Sequence, residues 1–143
     1  MTNVELVAKK LAILDEHLGR LRTRRPEALQ AFLGDTLVQD AVSMGVLVVA
    51  QEAIDIALHI ASDEGWELAP TYRDSFVVLA RRGVIDDGLA THLAGAILLR
   101  NRIAHGYGSL DAERLWTELP SGIAHFEAFA AAISAFLQRS SKA

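Results

Sequence analysis

One segment of this sequence combines residue types that can break a phosphodiester bond. It covers residues 99–108 and reads LRNRIAHGYG. A histidine whose pKa is near neutrality can take the proton from a ribose 2′-hydroxyl or give one to the leaving oxygen. An arginine can neutralise the charge that builds up on the phosphoryl oxygens in the transition state. Because the nucleophile in such a reaction belongs to the RNA, the pair Arg100 and His105 would need no metal ion.

The spacing between Arg100 and His105 limits how one copy of the segment could use both side chains. Their separation along an α-helix corresponds to about 140° around its axis, so the two residues do not share a helix face. The sequence leaves two arrangements open. Either the chain turns at Gly106, or the working site is assembled from two copies of the segment in a dimer.

The full pattern resembles the signature of the HEPN superfamily, in particular that of the HepT-like toxins of HepT–MntA toxin–antitoxin systems. The specific part is Arg100-Asn101, three further residues, and then His105-Gly106-Tyr107. Looser similarity extends over nearly the whole chain. It includes residues 55–59, 70–72, 76–79 and 83–85, in the order usual for the family, and then an apolar helix that leads into the motif.

This resemblance implies a fold, an activity and a mode of regulation. HepT-like proteins are all-helical homodimers whose two motifs face a shared cleft, and they act as metal-independent ribonucleases on tRNA or mRNA. The resemblance implies that Arg100 and His105 form the catalytic pair and that Asn101 helps to orient the site. It also implies that a minimal nucleotidyltransferase antitoxin, similar to MntA, modifies the Tyr107 hydroxyl with AMP. A bulky anionic adenylate beside the cleft would block RNA and repel its phosphates.

Other basic residues have competing interpretations. Arg102 follows Arg100 by two positions and points to another side of the helix, where it could contact an RNA phosphate or pair with an acid across a dimer. The run of residues 20–25 contains four arginines. It could bind the RNA backbone, but a solvated helix end whose cations complement the helix dipole is favoured.

Acidic residues occur on a predicted helix that is otherwise apolar, at Asp40, Glu52 and Asp55. A buried carboxylate without a partner is costly, so these side chains are expected to face solvent or an arginine. In a dimer that arginine could be Arg100 or Arg102. A structural hydrogen bond between Asp55 and His59, four residues later, is the favoured role of that pair.

Helical periodicity runs through almost the whole chain. Apolar residues at 3-4-3-4-3 spacing from Val4 to Leu21 predict one amphipathic helix, and Asp35 and Asp86 are predicted N-caps. The further predicted helices cover residues 26–33, 36–62, 71–82, 87–105, 111–118 and 120–139, the last two being separated before Pro120. The pattern predicts an all-α fold, an antiparallel bundle of four to five main helices, as a single domain over residues 1–143. By the resemblance, this domain is HEPN-like.

Composition excludes several classes of protein. With 143 residues, of which 51% are hydrophobic, the chain can form one core and is not disordered. There is no cysteine, and the spacing of the five histidines does not indicate a metal site. The apolar runs are shorter than the ~20 residues that a membrane span needs, and no signal peptide is visible. We therefore expect a cytoplasmic protein with no metal, no cofactor and no membrane association.

The net charge of −4 is unevenly distributed. Residues 26–80 contain one basic and nine acidic residues, whereas residues 1–25 contain six basic and three acidic ones. The average therefore does not exclude RNA as a partner. An acidic average is nevertheless unhelpful for RNA binding, and it motivates an alternative. In that alternative the chain is a non-catalytic dimeric helical module that binds a nucleotide or a protein partner.

Overall fold

The structure is a computed structural model that describes residues 1–105 and 111–141. Within these residues the chain forms six α-helices and no strand. The helices are α1 (Val4–Arg24), α2 (Leu29–Leu33), α3 (Thr36–Asp63), α4 (Tyr72–Arg81), α5 (Asp87–His105) and α6 (Ala112–Ser141). Five of them are long and α2 has only five residues, so the predicted all-α bundle with four to five main helices is confirmed.

Helix α1 packs antiparallel against α3. Its apolar stripe is buried as predicted, from Val7 to Leu21. The Met1 amino group donates a hydrogen bond to the Asp63 carbonyl oxygen at 2.6 Å, which places the start of α1 beside the end of α3. Near the other end of α1, a Cβ atom at Gly45 of α3 would lie 2.6 Å from a Leu21 methyl carbon. Glycine at this position therefore permits the close approach of the two helices.

Side-chain caps define where several helices begin. The Asp35 carboxylate accepts a hydrogen bond from the Val38 N–H at 3.1 Å, and Asp86 accepts one from the Leu89 N–H at 2.6 Å. Both predicted N-caps are confirmed, and such caps typically contribute about 1 kcal/mol. Beyond the end of α4, Gly83 has a φ of 75°, a conformation that glycine adopts without strain.

The prediction of two separate helices around Pro120 is wrong, because α6 is continuous and contains this proline. Proline has no N–H, so the carbonyl four residues earlier, that of Trp116, loses its helical partner. The Arg25 Nε–H donates to the Trp116 carbonyl oxygen at 2.9 Å and replaces that partner. The Arg25 guanidinium also lies 4.0 Å from the centroid of the Trp116 ring.

The two tryptophans anchor α6 to other parts of the bundle. The Trp116 indole Nε1–H donates to the Pro26 carbonyl oxygen at 2.8 Å, so the end of α1 and the start of α6 are joined by a set of specific contacts. Trp66 packs against Phe136 of α6, with ring centroids 6.2 Å apart. Both tryptophans are partly buried against the core.

Three of the four arginines at the end of α1 contact other residues of the chain. Arg20 pairs with Glu16 in the preceding turn, and Arg22 pairs with Glu127 of α6. Arg25 is engaged by Trp116, as described above. Arg20, Arg22 and Arg24 are exposed, which fits the favoured interpretation of a solvated helix end whose cations complement the helix dipole.

Helices α3 and α6 are long and apolar enough to cross a membrane by length and composition. In α3, however, half of the most apolar window is buried against other helices of the bundle. The core helix of a folded domain passes the same test, so these two helices carry no argument for a membrane.

Replacing Arg25 with alanine is expected to lower the free energy of unfolding by about 2 kcal/mol, because a hydrogen bond from a charged donor is lost. The Pro120→Ala substitution restores an N–H that can bond the Trp116 carbonyl. Arg25→Ala should therefore cost clearly less in the Pro120→Ala background. Urea denaturation of the four proteins measures this coupling, and equal costs in both backgrounds would contradict the compensation.

Candidate active site

The residues of the predicted motif lie at the end of α5. Buried residues Ala90, Leu93 and Ile97 fix this helix to the bundle. Arg100 is partly buried and His105, the last residue of α5, is exposed. Both lie on one helix and are separated by about 140° around its axis, so one copy of α5 does not present them on the same face.

The structure gives Arg100 three neighbours. One terminal nitrogen donates to Gln51 Oε1 of α3 at 2.7 Å, and the other donates to Asn101 Oδ1 at 3.1 Å. The guanidinium carbon lies 5.8 Å from the centroid of the Tyr72 ring, at the start of α4. The Arg100 Nε is buried and has no hydrogen-bond partner within the described residues. Arg100 is therefore oriented by neutral groups, and its charge can act on a phosphate.

The acidic residues of α3 contact a lysine of α1. Lys10 Nζ lies 3.7 Å from Glu52 Oε2 and 3.6 Å from Asp55 Oδ2. Asp55 Oδ1 accepts a hydrogen bond from Gln51 Nε2 at 2.9 Å, and not from His59 as the sequence favours. Within the described chain, Asp55 is linked to Arg100 only through Gln51. Asp40, the third acid, is exposed.

Gln51 is a residue of the site that the sequence prediction missed. The available signal is its position four residues before Asp55, on a helix that is otherwise apolar. That spacing places the two side chains on one helix face. It does not reveal that α5 crosses α3 at this point.

Arg102 is exposed in the last turn of α5. It shares a face of the helix with Leu98 and His105, because spacings of three and four residues align on a helix. Leu98 is 50% exposed. Gly95 continues this stripe, and a Cβ atom there would meet nothing within 4 Å. Among the described residues, this stripe of α5 is therefore exposed at Gly95, Leu98 and Arg102.

Gly106, Tyr107 and Gly108 lie outside the described residues. The predicted turn at Gly106 and the predicted modification of Tyr107 fall on this part of the chain.

Behind α5, an apolar cavity of about 50 Å³ lies between Leu99 and residues of α1, α3 and α6. Its size and its apolar lining do not suit a nucleotide.

Two histidines far apart in the sequence meet between α5 and α6. The rings of His92 and His125 stack with centroids 4.0 Å apart. Burial lowers the pKa of His125, and the neighbouring His92 lowers it further. In the described ranges, no group of three or more histidine, aspartate or glutamate residues is placed to hold a metal ion.

The fold and this helix end together define an all-helical protein with an arginine- and histidine-bearing site at the end of α5. The family described as Ribonuclease HepT-like matches residues 14–133, and the chain belongs to this HepT-like family of the HEPN superfamily. The family resemblance inferred from the motif is thereby confirmed.

Two curated relatives match over nearly their whole length. The mRNA nuclease HepT of Shewanella oneidensis is 27% identical over 131 residues, which are 92% of this chain and 98% of the relative. The tRNA nuclease HepT of Aphanizomenon flos-aquae is 24% identical over 139 residues, which are 96% of this chain and 95% of the relative. Each match therefore covers more than nine tenths of both sequences.

Solved structures have the same architecture. A tri-AMPylated HEPN toxin of Shewanella oneidensis in complex with MNT antitoxin has a TM-score of 0.85 at 27% identity, covering 94% of this chain and 99% of the toxin. A toxin–antitoxin structure with AMP-PNP has a TM-score of 0.85 at 26% identity, covering 92% and 98%. YutE of Bacillus subtilis, a cytosolic protein of unknown function, has a TM-score of 0.85 at 14% identity and supports the fold alone.

Stability is expected to fall as the pH decreases from 7.5 to 5.5. The pKa of folded His125 is lowered from its ordinary value near 6.5. The unfolded chain therefore binds more protons in this range, and acidification favours unfolding. Melting temperatures of the wild type and the His125→Gln variant measure the effect. The variant should lose less stability over the same pH range, and an equal loss would contradict the assignment to His125.

Proposed function

We propose that this chain is the toxin of a toxin–antitoxin pair and a metal-independent ribonuclease that cleaves tRNA or mRNA. The observation that carries the proposal is the arrangement of Arg100, which neutral side-chain oxygens orient on the helix that ends at His105. Two relatives named as an mRNA nuclease and a tRNA nuclease support the substrate class. The proposal treats residues 1–143 as a single HEPN-like domain that acts in the cytoplasm.

The proposed reaction uses the RNA's own hydroxyl as nucleophile. His105 takes the proton from a ribose 2′-hydroxyl, whose oxygen attacks the adjacent phosphorus. The bond between phosphorus and the 5′-oxygen breaks, and the imidazolium form of His105 supplies the proton that the leaving oxygen takes up. The products are a 2′,3′-cyclic phosphate and a 5′-hydroxyl. Arg100 stabilises the charge on the non-bridging oxygens. Asn101 orients Arg100, and the exposed Arg102 contacts a neighbouring phosphate.

We propose that the working site lies in a homodimer. Arg100 contacts α3, while His105 shares an exposed side of α5 with Leu98 and Arg102. A second copy packed on this face would cover Leu98, and Gly95 leaves room for a close approach of two helices. Such a dimer would bring two motifs together. Arg100 of one copy could then act with His105 of the other, although the two residues of one copy lie on different faces of the helix.

The proposed partner is a minimal nucleotidyltransferase antitoxin similar to MntA. Two similar structures are toxin–antitoxin complexes, one with a tri-AMPylated toxin and one with AMP-PNP. Tyr107 follows His105 by two positions in this chain and is the proposed acceptor of AMP. Its adenylate would add negative charge beside Arg100 and His105 and would exclude RNA from the cleft.

The purified protein is expected to cleave tRNA or mRNA in the presence of EDTA. Substituting His105 or Arg100 with alanine should lower the rate at least about 100-fold, because each removes a group that acts in the transition state. The matched control is His17→Ala, a histidine on α1 away from the motif. Loss of wild-type activity in EDTA would contradict metal independence. Full activity of the His105→Ala variant, or RNA binding by the wild type without cleavage, would favour the non-catalytic module.

Incubation with the cognate nucleotidyltransferase and ATP should attach AMP to Tyr107 and abolish cleavage. The chain contains only two tyrosines, so Tyr72→Phe is a matched control for Tyr107→Phe. Mass spectrometry of the intact protein and its peptides should detect AMP on the wild type and on the Tyr72→Phe variant. Labelling that persists in the Tyr107→Phe variant would place the acceptor elsewhere.

A further inference from the structure

We propose that Gln51 is a positioning residue for Arg100, and that Asp55 and Lys10 fix the orientation of its carboxamide. This inference rests on the ribonuclease function proposed above. The inference gives α3 a role in the reaction, whereas the motif found in the sequence begins on α5.

The first step in the argument is the direction of the Gln51 amide. Its oxygen accepts from Arg100 at 2.7 Å, and its nitrogen donates to Asp55 Oδ1 at 2.9 Å. The reverse orientation would place the amide N–H₂ group against the guanidinium, which has only donors. It would also place the amide oxygen against a carboxylate, which has only acceptors. Hydrogen-bonding chemistry therefore permits one orientation, and that orientation points an acceptor at Arg100.

The second step is the link to α1. Lys10 Nζ lies 3.6 Å from the other Asp55 oxygen, Oδ2, and 3.7 Å from Glu52 Oε2. The lysine thus faces both acids of this turn of α3. Asp55 consequently has a cation on one side and the Gln51 amide on the other. A chain of polar contacts runs from Lys10 through Asp55 and Gln51 to Arg100 and joins three helices.

The third step is the chemical reason for an amide at position 51. A carboxylate in the same place would form an ion pair with Arg100, bidentate in the preferred geometry, and would neutralise its charge. Such a pair would compete with the RNA phosphate for the guanidinium. A neutral oxygen restricts the side chain without neutralising its charge. Gln51 therefore satisfies both requirements of a phosphate-binding arginine, fixed geometry and an available charge.

Two substitutions separate these requirements. Gln51→Met retains the length of the side chain and removes the acceptor, so Arg100 is less well placed. We expect kcat to fall about tenfold or more, since misplacement of a catalytic group by about 1 Å can cost about 100-fold. Gln51→Glu retains an acceptor but introduces a charge, so Arg100 is partly neutralised and kcat also falls. Its activity relative to wild type should rise as the pH is lowered, because protonation of Glu at this position restores a neutral group.

The matched control is Gln39→Met, the same change on the same helix. Gln39 donates to the carbonyl oxygens of Phe32 and Leu33, at 2.9 and 3.2 Å, and does not contact Arg100. This variant loses hydrogen bonds of comparable length, so it reports the effect of a purely structural glutamine. Its kcat should equal that of the wild type at a temperature where circular dichroism shows all variants folded.

A kinetic double-mutant cycle tests whether Gln51 acts through Arg100. Single-turnover cleavage with excess enzyme is measured for the wild type, Gln51→Met, Arg100→Ala and the double variant. If the inference is right, Gln51→Met has no further effect once Arg100 is absent. If the two substitutions lower the cleavage rate by factors that multiply in the double variant, the inference is wrong. It is also wrong if both Gln51 variants cleave at the wild-type rate. If the wild type does not cleave RNA, or Arg100→Ala cleaves normally, the proposed function itself fails and the two failures remain distinct.

Discussion

Helix α3 packs against all five other helices, and this central position constrains the whole molecule. Most of its buried residues are apolar, from Val42 to Ala61. Its middle nevertheless carries Gln51, Glu52 and Asp55, all partly buried. Polar groups in such a place are costly unless they are hydrogen-bonded or paired. Lys10 of α1 pairs with Asp55, and Arg100 of α5 donates to Gln51. The contacts that satisfy the polar groups of α3 therefore also position the arginine of the motif.

The two sides of α5 differ in their surroundings as a result of this arrangement. One side of the helix is buried in the bundle through Leu93 and Ile97 and places Arg100 against α3. The other side, with Leu98, Arg102 and His105, is exposed. Side chains of α3 and α5 orient Arg100, and His105 lies at the exposed end of the same helix. The fold preorganises the cation of the motif, and the proposed acid–base residue is exposed at the end of α5.

Much of the fold could be predicted from local patterns. The buried stripe from Val7 to Leu21, the caps at Asp35 and Asp86, and the end of α4 near Gly83 all depend on residues within a few positions of one another. The errors share a different cause. The sequence predicts a helix end before Pro120, but the compensating Arg25 lies 91 positions from Trp116, whose carbonyl it bonds. The sequence does not indicate Gln51, because its partner Arg100 is 49 positions away. Neither pairing has a local sequence signal.

The joint between Arg25 and Trp116 also has a consequence for the order in which the chain folds. It joins residues 91 positions apart, so this hydrogen bond forms only after α1 and α6 have come together. Before that, the Trp116 carbonyl lacks a partner and the helix is weakened at Pro120. The first two turns of α6 therefore gain this partner only when α1 has packed beside them. A disruption at the end of α1 would accordingly weaken a helix that begins about 90 residues further along the chain.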